Sequence, residues 1–343
     1  MKHLLNTLYV TTQGTYLARE GETVHVRQEQ ETKLRVPIHT LGGIVCFGQV
    51  SCSPPLLGLC GERGVSVSFL TEQGRFLARM QGSVSGNVLL RRAQYRRADS
   101  PEGSAEIARS VVAGKIINSR TALLRAAREH ENAGASEALS EASAHLARQL
   151  RMLENPMPLD SVRGVEGDAG KEYFGVFEHL ITAQKEDFPF QGRSRRPPMD
   201  TTNALLSFVY TLLVHDVASA LEGVGLDPAV GFLHRDRPGR PSLALDLMEE
   251  FRPMLADRLV LTLINRQQVR GKGFTVTETG AVLMDDATRK EVLGGWQKRK
   301  QEEIVHPFLG EKIAIGLVPH VQAMLLARHL RGDLDAYPPF RWK

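Results

Sequence analysis

The sequence is sparing with several residue types, and each shortage excludes a class of protein. Cysteine occurs three times, as Cys46, Cys52 and Cys60, at separations that match no zinc-ligand pattern. An odd count also argues against a disulfide framework, so these read as buried reduced thiols. No stretch approaches the roughly 20 apolar residues that a bilayer span needs. The opening MKHLLNTLYVTTQG has too short an apolar run for a signal peptide, so the expected location is the cytoplasm. Nucleotide motifs are missing too. GVEGDAGK misses the phosphate-loop spacing by one residue and has Glu172 where Ser or Thr must follow the lysine. His234, Arg235 and Asp236 spell the kinase-like H-R-D, but Pro241 stands where its Asn belongs. Charge of one sign is scarce as well: 43 basic against 39 acidic residues leave only +4, a weak pointer to nucleic acid despite a pI near 9.0.

What remains is a chain of 343 residues, 42% hydrophobic, long enough for two domains with ordinary cores. From Leu8 to Met80 short alternating runs such as TVHVRQ, GIVCFG and GVSVSFL, broken by Gly, Ser and Pro, predict a string of strands and turns. After about Val88 the period becomes helical, through SAEIARSVVAGKIINSRTALLRAAREH, a break at NAGAS, and EALSEASAHLARQLRMLEN. The expected class is α+β, with a β-rich domain over 1–85, a Gly- and Ser-rich linker near 81–88 and a larger, mainly helical domain over 86–343. In the second part, Glu166 is expected at or near the start of the helix GKEYFGVFEHLITAQ. Asp200 should cap the apolar helix that begins TTNALLSFVY, with Gly223 and Gly225 closing it. Ser242 should start a helix carrying Asp246 and Glu249, and Pro253 should kink it or begin another. FTVTETGAVLMDD reads as a hairpin, followed by two helices and a polar-aromatic tail, AYPPFRWK.

Three separated segments carry candidate chemistry: Glu166 in GVEGDAGKEYF, His234 in GFLHRDRPGRPS, and Asp246 with Glu249 in LALDLMEEFRP. A hard divalent cation prefers carboxylate oxygens, and an imidazole among them tilts the choice from Mg2+ toward Mn2+. Each residue also has a plain structural reading. Asp246 and Glu249 are three apart on one helix face, a spacing often merely solvated, although the surrounding leucines argue for burial and hence a cationic partner. His234 reads equally as a satisfied structural histidine, and Glu166 as a first-turn acid complementing a helix dipole. Asn203, Ser207 and Tyr210 form a polar stripe on an apolar helix, serving either core hydrogen bonding or the site. Basic clusters occur at Arg91, Arg92, Arg96 and Arg97; at Arg193, Arg195 and Arg196; at Arg235, Arg237 and Arg240; and at Lys298, Arg299 and Lys300. The last reads as a solvated face. The two around 193 and 235 flank the acids, where positive charge would bring phosphate against carboxylates that otherwise repel it.

The three segments, in this order, together with AGKEYF, TTNALLSFVYTLL and GRPSLALDLMEEFRP, resemble the CRISPR-associated integrase of the spacer-acquisition complex, closest to its type I-C branch. The motifs cover most of residues 160–255. The resemblance implies a metal-dependent DNA endonuclease and integrase that inserts short double-stranded DNA fragments into a CRISPR array by 3′-hydroxyl attack. It implies Glu166, His234 and Glu249 as ligands of Mn2+ or Mg2+, with Asp246 close by in the pattern and Asn203 and Tyr210 beside the site. It further implies a homodimer formed through the β domain, and two such dimers bridged by a small ferredoxin-like partner into a heterohexamer. Two other functions stay open on the residues alone: a general metal-dependent DNA nuclease of repair or recombination, and a non-catalytic DNA-binding scaffold.

Overall fold

A computed structural model describes residues 5–29, 31–80, 82, 88–195 and 197–342. The strand-rich part holds β1 (Asn6–Val10), β2 (Tyr16–Glu20), β3 (Thr23–Gln28), β4 (Glu31–Pro37), β5 (Leu41–Phe47), β6 (Ser51–Cys52), then helix α1 (Pro54–Arg63), β7 (Ser66–Leu70) and β8 (Phe76–Met80). They make two four-stranded sheets, ordered β1-β5-β7-β8 and β4-β3-β2-β6. In the first, β1-β5 and β5-β7 run parallel, and β8 pairs antiparallel with β7. Helix α1 is a departure from the all-strand expectation. Its residues PPLLGLCGER sit behind an N-cap, with Ser53 Oγ accepting from the Leu56 amide at 3.3 Å, and end at Gly64 in the left-handed region (φ 67°). Leu56, Leu59 and Cys60 are buried at helical spacing, so a 3.6-residue period was present between two strand-like runs.

Strand β5 couples this part to the rest. Alternate side chains go to opposite faces: Ile44 and Cys46 enter the core beneath the sheets, while Val45 and Phe47 enter the large core of the helical body. Phe47 stacks on Phe208 with ring centroids 5.8 Å apart. The anticipated boundary at 85 lies outside the described residues; to either side of it, Val45, Phe47 and Leu70 join the core of the helical body, while Leu17, Ile44 and Val67 belong to a separate core of the strand-rich part. Most of the anticipated linker lies outside the described residues.

The helical body comprises α2 (Val88–Asp99), α3 (Pro101–Glu129), α4 (Ala133–Met152), α5 (Leu159–Gly175), α6 (Thr201–Val224), α7 (Ser242–Met248) and α8 (Arg258–Asn265), followed by hairpin β9 (Phe274–Val276)–β10 (Val282–Met284), α9 (Asp286–Gln301), hairpin β11 (Glu303–Val305)–β12 (Lys312–Ala314) and α10 (Val318–Leu330). Asp200 caps α6, accepting from the Asn203 amide at 2.6 Å, and Gly225 (φ 89°) ends it. Helix α6 is long and apolar enough to cross a membrane by length and composition, contrary to the expectation that no stretch is. Of its most apolar 18-residue window 72% is buried inside the protein, as in the central helix of a core.

Two further expectations need correction. Glu166 lies in the middle of α5, not at a helix start. Three glycines in RGVEGDAGK suggested a break, at about 1 kcal/mol of helix propensity each, but Val162, Val165, Ala169 and Tyr173 are buried along one stripe and their packing prevails. The 298–300 cluster is a solvated face only at Lys298: Lys300 is buried and pairs with Asp216 at 2.7 Å, and Arg299 donates to the Met254 carbonyl at 3.1 Å.

Candidate active site

Helices α3, α5 and α7 converge on one acidic centre. Asp246 is buried at the end of α7, where its carboxylate organises the segment before it. Oδ2 accepts from the Phe232 and Leu233 amides at 2.6 and 2.9 Å, and Oδ1 accepts from the His234 amide at 2.9 Å. Oδ1 also lies 2.7 Å from His234 Nδ1. Gly231 makes this approach possible, since a Cβ there would stand 2.8 Å from Asp246 Oδ2 and from the Ser242 backbone. With Nδ1 assigned as the donor to a carboxylate, the imidazole has its tautomer fixed and Nε2 left for a ligand.

Glu249 follows directly after α7, at the start of a distorted stretch that becomes a π-helical turn over Arg252–Asp257. Pro253 sits at the head of that turn, which removes an amide donor and accounts for the departure from α geometry. Glu249 Oε1 accepts from Arg252 Nη1 at 2.6 Å, and Oε2 lies 2.8 Å from Lys115 Nζ of α3, close as an ion pair though not aligned as a hydrogen bond. Burial alone would push the Glu249 carboxyl up, but the Arg252 guanidinium and Lys115 ammonium outweigh it and hold the group well below the usual carboxylate range. The same ammonium pairs with Glu166 Oε1 from α5. Glu166 and Glu249, 83 positions apart in the chain, therefore meet across a single positive charge. Glu166 is the more open of the two, with 29% of its side chain exposed against 4% for Glu249.

A second tier of contacts supports Arg252. Its guanidinium lies 4.3 Å from the Tyr210 ring centroid, and the Tyr210 hydroxyl donates to Asp257 Oδ1 at 2.5 Å. Tyr173 donates to Asp257 Oδ2 at 3.1 Å, and burial raises the Asp257 carboxyl to about 6 against the opposing pull of Tyr210 and Arg252. Tyr210 thus reaches the acidic centre through Arg252. Asn203 does not reach it: it is fully buried and ties down the 192–200 loop, with Nδ2 donating to the Gly192 carbonyl at 2.8 Å and Oδ1 accepting from Arg193.

The basic candidates separate. Arg193 is turned inward, its guanidinium 5.1 Å from the Tyr210 ring centroid and 5.9 Å from that of Phe174. Arg195, Arg235 and Arg237 are exposed, Arg235 pairing with Asp160 at 3.3 Å, while Arg240 is partly buried. Arg196 lies outside the described residues. Sequence reading missed Lys115, Arg252 and Asp257. A lysine inside the apolar run VVAGKIIN was the available signal for the first.

Among the described residues no three His, Cys, Asp or Glu side chains converge at ligand spacing. The donor chemistry nevertheless suits a divalent ion. Two carboxylates already share one cation, and an imidazole oriented by a buried carboxylate lies close by.

Residues 8–298 match the family model for CRISPR associated protein Cas1. A CRISPR-associated endonuclease Cas1 from Chlorobaculum tepidum is 59% identical over 343 residues, covering 100% of both chains. A casposase bound to its integration product superposes with a TM-score of 0.85 at 23% identity, covering 99% of this chain and 95% of that one. The Cas6-RT-Cas1–Cas2 complex gives a TM-score of 0.83 at 21% identity, over 100% of this chain and 36% of that chain. At these identities the two structures establish the fold alone. From its matched length and its identity to the Chlorobaculum protein, this chain belongs to the Cas1 family of CRISPR-associated endonucleases.

Proposed function

We propose that the protein inserts short double-stranded DNA fragments into a CRISPR array, a fragment 3′-hydroxyl attacking a phosphodiester at the repeat end. A new P–O bond forms as the old one breaks, and the departing 3′-oxygen takes up a proton, so no nucleotide hydrolysis is needed. The observation that carries this reading is the meeting of Glu166 and Glu249 on one cation beside an imidazole held by Asp246. A Mn2+ or Mg2+ ion held by Glu166, His234 and Glu249 would, when bound, supply Lewis acidity toward a phosphate oxygen and lower the pKa of the attacking hydroxyl. The chain's own part is positional. Asp246 fixes the His234 tautomer, Arg252 clamps Glu249 through one oxygen, and Tyr210, itself held by Asp257, lies against Arg252. Arg195, Arg235, Arg237 and Arg240 offer positive charge to the DNA backbone near Glu166 and His234 in sequence.

We further propose a homodimer built through the strand-rich domain and bridged by a small ferredoxin-like partner into a heterohexamer, a reading that a solved neighbour in which Cas1 is complexed with Cas2 makes natural. Exposed apolar residues on these sheets, Leu34, Phe76 and Leu77, fit the first part of that reading. The test supplies a labelled fragment with free 3′-hydroxyls, a supercoiled plasmid carrying a repeat, manganese and the partner protein. Label should become covalently joined to plasmid, and 3′-dideoxy ends should prevent it. If the plasmid is cut equally with blocked ends and no label transfers, water is the nucleophile and the protein is a general DNA nuclease. If manganese elicits neither reaction, the scaffold reading stands.

A further inference from the structure

Lys115 is an odd residue to find where it is. It lies in the middle of α3, flanked by the buried Val111, Val112 and Ile116, and only 10% of its side chain is exposed. Its ammonium contacts both Glu166 and Glu249, carboxylates on two different elements that would otherwise repel each other. Gly170, one turn beyond Glu166 on α5, lies beside Nζ, where a Cβ would make only an ordinary contact at 3.9 Å. Solvent reaches this centre from the Glu166 side, because Glu249 is almost entirely covered.

We infer that Lys115 is a built-in counter-cation for the acidic centre: its ammonium holds Glu166 and Glu249 together in the metal-free protein, and a divalent ion must displace it to be coordinated by both. The inference rests on the reading of Glu166 and Glu249 as metal ligands. Its physical basis is competition for the same oxygens. Glu249 Oε1 is committed to Arg252, so Oε2, the oxygen facing Lys115, is the one an incoming ion can take. On Glu166, Oε1 is likewise engaged by the lysine. Arg252 is differently placed, since it touches Glu249 alone and can remain while an ion binds. Lysine suits a displaceable role, being a single ammonium on a flexible stem, whereas the planar fork of arginine suits a permanent clamp. Lys115 is therefore a positioning residue that preserves the site's geometry and sets a threshold on metal binding.

The distinguishing consequence is its sign. Removing a merely structural lysine would loosen the site and weaken metal binding, whereas removing a competitor must strengthen it. Mn2+ affinity is to be measured on the full chain from the electron paramagnetic resonance signal of free Mn2+, for wild type, Lys115→Met, Lys115→Arg and Glu166→Gln. Lys115→Met should bind Mn2+ at least about tenfold tighter, as expected for residues coupled in one ion-pair network, and Lys115→Arg should stay near wild type. Thermal denaturation gives an independent readout: Lys115→Met should melt lower without metal and gain more from added Mn2+ than wild type does. If Lys115→Met is not folded without metal, Lys115→Gln purified in Mn2+ and then stripped answers the same question. Equal or weaker Mn2+ binding in these variants, with Glu166→Gln impaired, overturns the role given to Lys115. Unchanged binding in Glu166→Gln instead overturns the ligand assignment itself.

Discussion

Replacing Asp246 by asparagine puts the architecture of the centre to a quantitative test. The carboxylate accepts two hydrogen bonds on each oxygen, from the Phe232 and Leu233 amides on Oδ2 and from the His234 amide and ring on Oδ1. Asparagine has one oxygen. Whichever way the amide is turned, its NH2 faces two groups that donate to the carboxylate in the wild type, so two charge-assisted bonds disappear, and only the His234 ring, by changing tautomer, can return a neutral one in their place. At about 1.5–3 kcal/mol each the cost is about 3–6 kcal/mol. Unfolding entropy of about 2.1 cal/mol/K per residue over a chain this long converts that into a fall in Tm of about 4–8 °C. If the NH2 faces the imidazole, Nδ1 must become an acceptor and the proton moves to Nε2, the nitrogen needed for a metal. Metal affinity should accordingly fall by about 10 to 100-fold, the usual cost of removing a partner that orients a ligand. The assays are thermal denaturation without metal and a manganese titration, run beside Glu249→Gln, which should lose metal binding more severely. Wild-type melting of Asp246→Asn would show that the 232–234 segment does not depend on this carboxylate. A greater loss of metal binding in Asp246→Asn than in Glu249→Gln would make Asp246 the direct ligand.

Alanine at Glu166, His234 or Glu249 should abolish strand joining in the label-transfer assay while DNA binding, followed by gel shift, survives; joining at wild-type rate would remove that residue from the site. Glu249→Gln should also destabilise the fold by about 3–5 kcal/mol in urea titration, because it strips a buried arginine of its partner. Glu250 makes stability fall as pH rises: burial pushes its carboxyl up to about 8, above the roughly 4.3 of an unfolded glutamate. Between those values the folded chain keeps a proton that the unfolded chain has lost, so the unfolding free energy declines by up to about 1.4 kcal/mol per pH unit and levels off above 8. Glu250→Gln, which mimics the protonated form, should flatten this decline in a Tm-against-pH series. Alanine at Arg195, Arg235 and Arg237 should reduce the slope of log K against log salt by about 0.9 for each phosphate no longer neutralised, without altering sequence preference. Arg193→Ala should instead leave that slope alone and lower Tm, because its guanidinium no longer stacks on Phe174 and Tyr210.

The sequence made visible what depends on local pattern. The switch from alternation to helical period placed the strand-rich and helical parts, and Asp200 and Gly225 marked the ends of α6 through their capping chemistry. The approach of Glu166 to Glu249 was legible only through family resemblance, because no local rule brings α5 to the end of α7. Glu166 was misplaced within its helix since glycine propensity was weighed without the buried stripe that overrides it. The basic cluster flanking the acids offers Arg193 to DNA, and a polar stripe offers Asn203 to the site, whereas their side chains turn to tertiary partners that sequence does not display. Lys115 and Arg252 escaped notice for the converse reason: a buried cation is informative only when the acids it answers come from elsewhere in the fold.

One contact carries an implication for how the protein is made. Glu250, adjacent to the proposed ligand Glu249, is held by groups that come some ninety positions later: the Tyr337 hydroxyl donates to Oε1 at 2.8 Å and the Phe340 amide to Oε2 at 2.7 Å. Asn118 binds the Glu250 carbonyl at 2.7 Å and the Phe340 carbonyl at 3.0 Å, and Gly114 keeps α3 low enough for Pro339 to pass over it. During translation the ribosome releases Glu166, His234 and Glu249 while Tyr337 and Phe340 are still unsynthesised. A nascent chain at that stage has every proposed metal-binding side chain and none of this bracing for the residue beside the last of them. The brace forms only once Tyr337 and Phe340 are in place, so a truncated translation product would keep the acids and the histidine on an unbraced segment.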